Sequence, residues 1–237
     1  MKKNVKIIII AVVIVLAIAL VGGYFFVNDI MQKGKLVDEL SQIEEMTSSG
    51  EFDMEKLNEK TSNIVTSGKY AKVEKAAKNY ASDVFNTANE IKTLLEDEKM
   101  AQLLTASNYK ADGPEFVETK KYLSETKEKL ETLKAEMMGY LEEGKINSYI
   151  EAETKDSYSI ELYKNLLKED IEMPESERKE LEQSIDKVVS MLNIAEEIIN
   201  FLVENKGQWE VQREQVLFNS NSLVQQYNSY LTKLRIL

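Results

Sequence analysis

The side chains that most often do chemistry at neutral pH are missing: the 237-residue chain has no histidine and no cysteine. Their absence removes Ser-His-Asp and Cys-His catalysis, thiolate metal sites, a disulfide framework and an acylated cysteine. Carboxylates, lysines and tyrosines remain. Acidic residues cluster at Glu96-Asp97-Glu98, at Glu142-Glu143 and in "KEDIE", residues 168–172. Paired carboxylates can hydrolyse a glycosidic bond and several can hold calcium, but both need side chains converging from different elements, and EF-hand spacing is absent. The clusters read as solvated faces, so no catalytic residue, no metal ligand and no cofactor is expected.

Tyrosine is the other chemically capable type. Tyr70, Tyr80, Tyr140, Tyr149, Tyr158, Tyr163, Tyr227 and Tyr230 recur at helical positions. Such a residue usually buries its ring and leaves its hydroxyl near water, while a row of them could line a ligand groove. The lone tryptophan, Trp209, either closes the end of a bundle or anchors a partner. With Phe218, Tyr227 and Tyr230 it forms the candidate partner contact, because aromatic anchors dominate interface energetics.

These residues need elements to carry them, and composition points to helices. Only two prolines and nine glycines occur, which suits an all-α chain of long helices better than a turn-rich sheet. There are 41 acidic and 30 basic side chains; beyond Lys2, Lys3 and Lys6 the balance is 41 against 27. A surface that negative repels phosphate backbones and anionic head groups, so nucleic acid is excluded as a partner.

Residues 7–27, "IIIIAVVIVLAIALVGGYFFV", carry no charge. As a helix they would be roughly 31 Å long, the thickness of a bilayer core. The three lysines before the run place residues 1–6 in the cytoplasm and residues 28–237 outside it. Tyr24, Phe25 and Phe26 fall at the outer interface. Span length and this aromatic belt favour an uncleaved anchor over a signal peptide cut after Ala19 or Gly23. Ala19 and Gly23 also form a small-xxx-small pair through which two anchors could pack as a homo-oligomer.

Four segments follow: a cytoplasmic stub at 1–6, the anchor at 7–27, a juxtamembrane helix and linker at 28–52, and an elongated antiparallel helical bundle with coiled-coil-like seams at 53–237. Asp53 N-caps a short helix ending near Gly68, and a helix from Tyr70 to about Thr105 follows. "NYKADGP", residues 108–114, reads as a loop with Pro114 opening the next helix, through Tyr140. Leu181, Ile185, Val188, Leu192, Ala195, Ile199 and Leu202 form the strongest seam, ending near Gly207. Residues 209–218 fit a small β-hairpin or a helix with a poor stripe. Asn219 to Ser222 then cap a last helix.

A single N-terminal span before a helical domain ending in "LVQQYNSYL" resembles the LemA type of membrane-anchored helical protein. The arginine-rich early helix of that family has no counterpart here, and no function is taken from the resemblance. The residues themselves predict a non-enzymatic cell-envelope protein that acts by protein–protein interaction, as a scaffold or accessory subunit. The alternative is a module holding a small or lipidic ligand between helices.

Overall fold

The computed structural model describes residues 30–48 and 53–236. The stub at 1–6 and the expected anchor at 7–27, with Ala19 and Gly23, lie outside the described residues. Among the described residues no helix is long and apolar enough to cross a membrane.

The described chain is mostly helical, with a small antiparallel hairpin. In order it forms α1 (Ile30–Ser48), α2 (Met54–Ser62), α3 (Lys69–Glu96), α4 (Glu98–Gln102), α5 (Ala106–Asp112), α6 (Val117–Tyr140), α7 (Glu143–Glu153), α8 (Ser157–Leu166), α9 (Lys168–Ile171) and α10 (Glu175–Glu204). The strands β1 (Trp209–Gln212) and β2 (Gln215–Phe218) precede the last helix, α11 (Asn221–Ile236). Two compact units are present. Unit 1 holds Thr93–Thr132 and Gln183–Leu237; unit 2 holds the described residues before Thr93 together with Leu133–Glu182.

In unit 2, α1 lies beside α3 and runs in the same direction. The Ser67 N–H, just before α3, donates to Gln32 Oε1 at 3.0 Å, and about two turns further along α1 Glu39 meets Lys78 at 3.0 Å. Ile43 then packs with Leu57, Ala81 and Phe85 in one apolar cluster. Spacing of three and four residues puts these apolar side chains on facing stripes. Tyr163 on α8 donates to the Ile146 carbonyl at 2.9 Å, and Tyr149 on α7 donates to Asp83 at 2.5 Å.

Lys78 is the unusual member of this core. Its side chain is 0% exposed, and its ammonium reaches Glu74 at 2.7 Å, Glu39 at 3.0 Å and the Asn63 carbonyl at 2.6 Å. Glu74, also 0% exposed, accepts from the Val65 and Thr66 amides and from the Thr66 hydroxyl at 2.7–3.1 Å. Lys60 on α2 binds the other oxygen of Glu39 at 3.0 Å. The helix expected from Asp53 to near Gly68 therefore stops at Ser62. Residues 63–67 run non-helical because the Glu74 carboxylate takes their amides and Lys78 their carbonyl. The Asp53 cap itself is present, accepting from the Glu55 and Lys56 amides.

Unit 1 departs from expectation at two places. The helix expected to reach Thr105 breaks at Asp97, whose carboxylate caps α4 through the Lys99 amide at 2.9 Å. The expected loop at 108–114 is helical to Asp112: Thr105 caps α5, and Tyr109 is buried. Pro114 does not open α6. Asp112 does so from the preceding helix, accepting from the Thr119 amide at 2.7 Å and the Glu118 amide at 3.3 Å. The seam of α10 is buried as expected, from Leu181 through Leu202.

Burial pushes the Glu74 carboxyl up, but Lys78, Thr66 and the two amides outweigh it and hold it below its ordinary value of 4.5. A depressed carboxyl contributes stability that is complete above its unfolded value and lost as pH falls through the folded one. The melting midpoint should therefore drop as pH is lowered below 4.5, and Glu74→Gln should flatten that limb. Lys78→Ala, which leaves the enclosed Glu74 carboxylate without its counter-ion, should cost about 3–5 kcal/mol in urea unfolding at neutral pH.

Candidate functional site

Residues 209–218 form the hairpin, not a helix. Trp209 pairs with Phe218, Glu210 with Leu217, Val211 with Val216 and Gln212 with Gln215. Alternation puts Trp209, Val211, Val216 and Phe218 on one half-buried face, and Glu210, Gln212, Gln215 and Leu217 on the exposed one. Arg213 and Glu214 make the two-residue turn with φ of 45° and 65°. Positive φ at both positions matches the strand twist and is normally supplied by Asn-Gly. Here two residues with Cβ atoms bear the strain.

Beneath the hairpin lies a continuous aromatic assembly. The Trp209 indole stacks on Phe116 with centroids 5.9 Å apart, and its N–H donates to the Leu202 carbonyl at 2.7 Å. That carbonyl is in the last turn of α10 and has no helical partner of its own. Tyr109 meets Phe116 edge-on at 5.6 Å and Trp209 at 6.3 Å, and its hydroxyl is hydrogen-bonded to that of Tyr227 at 3.2 Å. Phe218 packs on Tyr227 at 5.3 Å. Phe201 on α10 joins Phe218 at 5.9 Å and Tyr230 at 5.7 Å. Burial, then the neighbouring Tyr227, raises the Tyr109 hydroxyl far above the usual tyrosine range, so it stays a neutral hydrogen-bonding group.

All four expected contact residues, Trp209, Phe218, Tyr227 and Tyr230, thus belong to one assembly, but much of each ring is spent attaching the hairpin and α11 to α10. Tyr109, Phe116 and Phe201 complete it and were not singled out by their sequence context. Gly113 carried the usable signal. A Cβ there would overlap the Tyr109 carbonyl and lie 3.0 Å from the Trp209 ring and 3.2 Å from Phe116, so the "Gly-Pro" pair marks close packing as well as the end of α5. Phe116 itself adopts a φ of 53° while 0% exposed. A buried ring in that region is retained by its surroundings.

Beside Trp209 is an open pocket of about 270 Å³, lined by Tyr109, Lys110, Gly113, Pro114, Trp209 and Val211. A second cleft of about 320 Å³ is polar, with Lys99, Gln102, Asn108, Glu118 and Tyr122 among its walls. There the Lys99 ammonium lies 5.8 Å from the Tyr122 ring centre, and burial helps push that hydroxyl up to about 12. A third, apolar cavity between Leu95, Met100, Val188, Leu192 and Leu234 offers only about 30 Å³, the scale of a water molecule rather than an acyl chain.

The acidic clusters do not converge. Asp97 caps a helix, Glu142 and Glu143 are exposed, and in residues 168–172 Lys168 sits 3.8 Å from Glu172 on the surface while Asp170 is buried, which departs from the solvated face expected there. Among the described residues no three acidic side chains come together in a way that could hold a metal ion. Fold and site define a helical-bundle protein with an aromatic-backed hairpin and a small pocket at its foot. No family model, curated protein or solved structure matches the chain, so the LemA-type outline stands only on the residues quoted for it.

Trp209→Ala removes a stacked ring and strands the Leu202 carbonyl; it should cost about 2–4 kcal/mol in unfolding followed by circular dichroism. Replacing Arg213-Glu214 by Asn-Gly relieves the turn and should raise stability by about 1 kcal/mol in the same measurement.

Proposed function

We propose that this chain is a single-pass membrane protein, anchored by residues 7–27 with its N-terminus in the cytoplasm, whose extracytoplasmic helical bundle works by protein–protein interaction. In this reading the bundle is elongated and antiparallel, and it serves as a scaffold or accessory subunit of an envelope complex. The anchor rests on the uncharged run and the lysines before it.

The observation that carries the interaction reading is the pocket beside Trp209. Its aromatic wall is held from behind by Phe116, Tyr109 and the Leu202 carbonyl, so it is ordered before any partner arrives. Pro114 and Lys110 at its edge are exposed. A rigid aromatic surface that loses little freedom on binding is the usual centre of a protein contact, and about 270 Å³ suits one anchoring side chain.

A photo-crosslinking residue at Lys110 or Val211 of the full chain in native membranes should give an adduct to another protein. The same residue at Lys179, an exposed position in unit 2, should give none. An adduct of two copies of this chain would identify the partner as itself. No adduct at 110 and 211, or equal adducts at 179, would overturn the reading. Alkaline extraction should leave the whole chain, starting at its original N-terminus, in the membrane pellet. A soluble product beginning after Ala19 or Gly23 would remove the tether.

A further inference from the structure

The direction of α1 decides which end of unit 2 faces the bilayer. Because α1 and α3 run the same way, their first residues lie at one end, joined by the Ser67–Gln32 hydrogen bond. The turn between α7 and α8 reaches that end too. Lys75 binds Glu153 at 2.9 Å, the Lys69 ammonium sits 3.8 Å from the centre of the Tyr158 ring, and the Tyr70 and Tyr158 hydroxyls are 3.3 Å apart.

The charge there is opposite in sign to that of the chain. Lys69, Lys72, Lys75 and Lys155 stand among Glu151, Glu153 and Asp156, and Asp156 lies within electrostatic reach of Lys69 and Lys72. Tyr158 is 39% exposed, and Met31 at the start of α1 is 73% exposed. Lysines with interleaved tyrosine and one free apolar side chain form the composition that settles at a bilayer interface. Reach agrees: the three residues from the end of the apolar run at Val27 to the start of α1 at Ile30 span at most about 11 Å when fully extended.

We propose that this end of unit 2, centred on Lys69, Lys72 and Tyr158, rests on the anionic phospholipid head groups of the membrane that holds residues 7–27. The inference rests on the proposed tether. The acidic remainder of the chain does not oppose it, because charges farther than a Debye length of roughly 8–10 Å from the lipid surface are screened. The tether would bring forward an end whose lysines are complementary to those head groups.

The full chain would be reconstituted into vesicles of phosphatidylcholine alone and of phosphatidylcholine mixed with phosphatidylglycerol. An impermeant amine-acylating reagent is applied and each lysine is read by mass spectrometry. Acylation of Lys69 and Lys72, relative to Lys179, should be several-fold slower in the anionic vesicles, and salt at about 1 M should restore it. Lys69→Glu with Lys72→Glu should return Lys155 to its rate in neutral vesicles. Equal rates in both vesicles, with the chain still retained after an alkaline wash, would overturn the head-group contact and leave the tether standing. Release of the chain by that wash would remove the tether, and the contact with it.

Discussion

Unit 2 depends on one buried ammonium. Lys78 cannot reach water, and the desolvation cost of an isolated buried cation would be several kcal/mol. Glu74, Glu39 and the Asn63 carbonyl offset it together, and each belongs to a different piece of chain: α3 itself, α1 and the segment after α2. Lys60 adds α2 through Glu39. Moving any one of these pieces would leave a charge enclosed without its partner. The network therefore acts less as net stabilisation than as a specification of where each element must sit, which is the best attested role of buried charge. It also makes α1 part of the folded body, and so gives the chain a defined end towards its N-terminus.

Unit 1 solves a similar problem without charge. A short hairpin and a single terminal helix bury little area by themselves, and two strands alone are marginal in water. Aromatic rings supply large contact area with few rotatable bonds. Phe201 touches Phe218 and Tyr230, while Trp209 closes the open end of α10 by satisfying the Leu202 carbonyl. Strain at Phe116, Arg213 and Glu214 persists because that packing outweighs it. The same rigidity keeps the pocket wall in place.

What the sequence made legible follows from period. The seam of α10 repeats every three or four residues over many turns, and its residues are buried. The hairpin was legible as one of two readings, since Trp209, Val211, Val216 and Phe218 alternate correctly for strands. The stretch after Ser62 was not legible: Glu74 and Lys78 look like an ordinary exposed i,i+4 pair, and nothing local shows that they capture a distant loop. Asp112 was hidden in the same way, because a cap supplied from the preceding helix leaves no mark at the usual position. The aromatic assembly was half legible. Trp209, Phe218, Tyr227 and Tyr230 stand out near the C-terminus, whereas Tyr109 and Phe116 join them only through the fold.

The direction of the resolved carboxyl shifts shows what these particular groups do in the fold. A chain without histidine or cysteine would have to do acid–base chemistry largely with carboxyls, and a general acid needs one whose pKa is raised towards neutrality. The shifts resolved at Asp53, Glu74, Asp112 and Asp156 all go the other way. At Glu74 and Asp112 burial pushes upward, and hydrogen-bond donors reverse it; at Asp53 the Lys56 amide dominates and at Asp156 the Ser159 hydroxyl does. Each of these groups caps a helix or holds a loop, tasks that require it to stay ionised. That is the opposite of the poise a carboxyl acid would need.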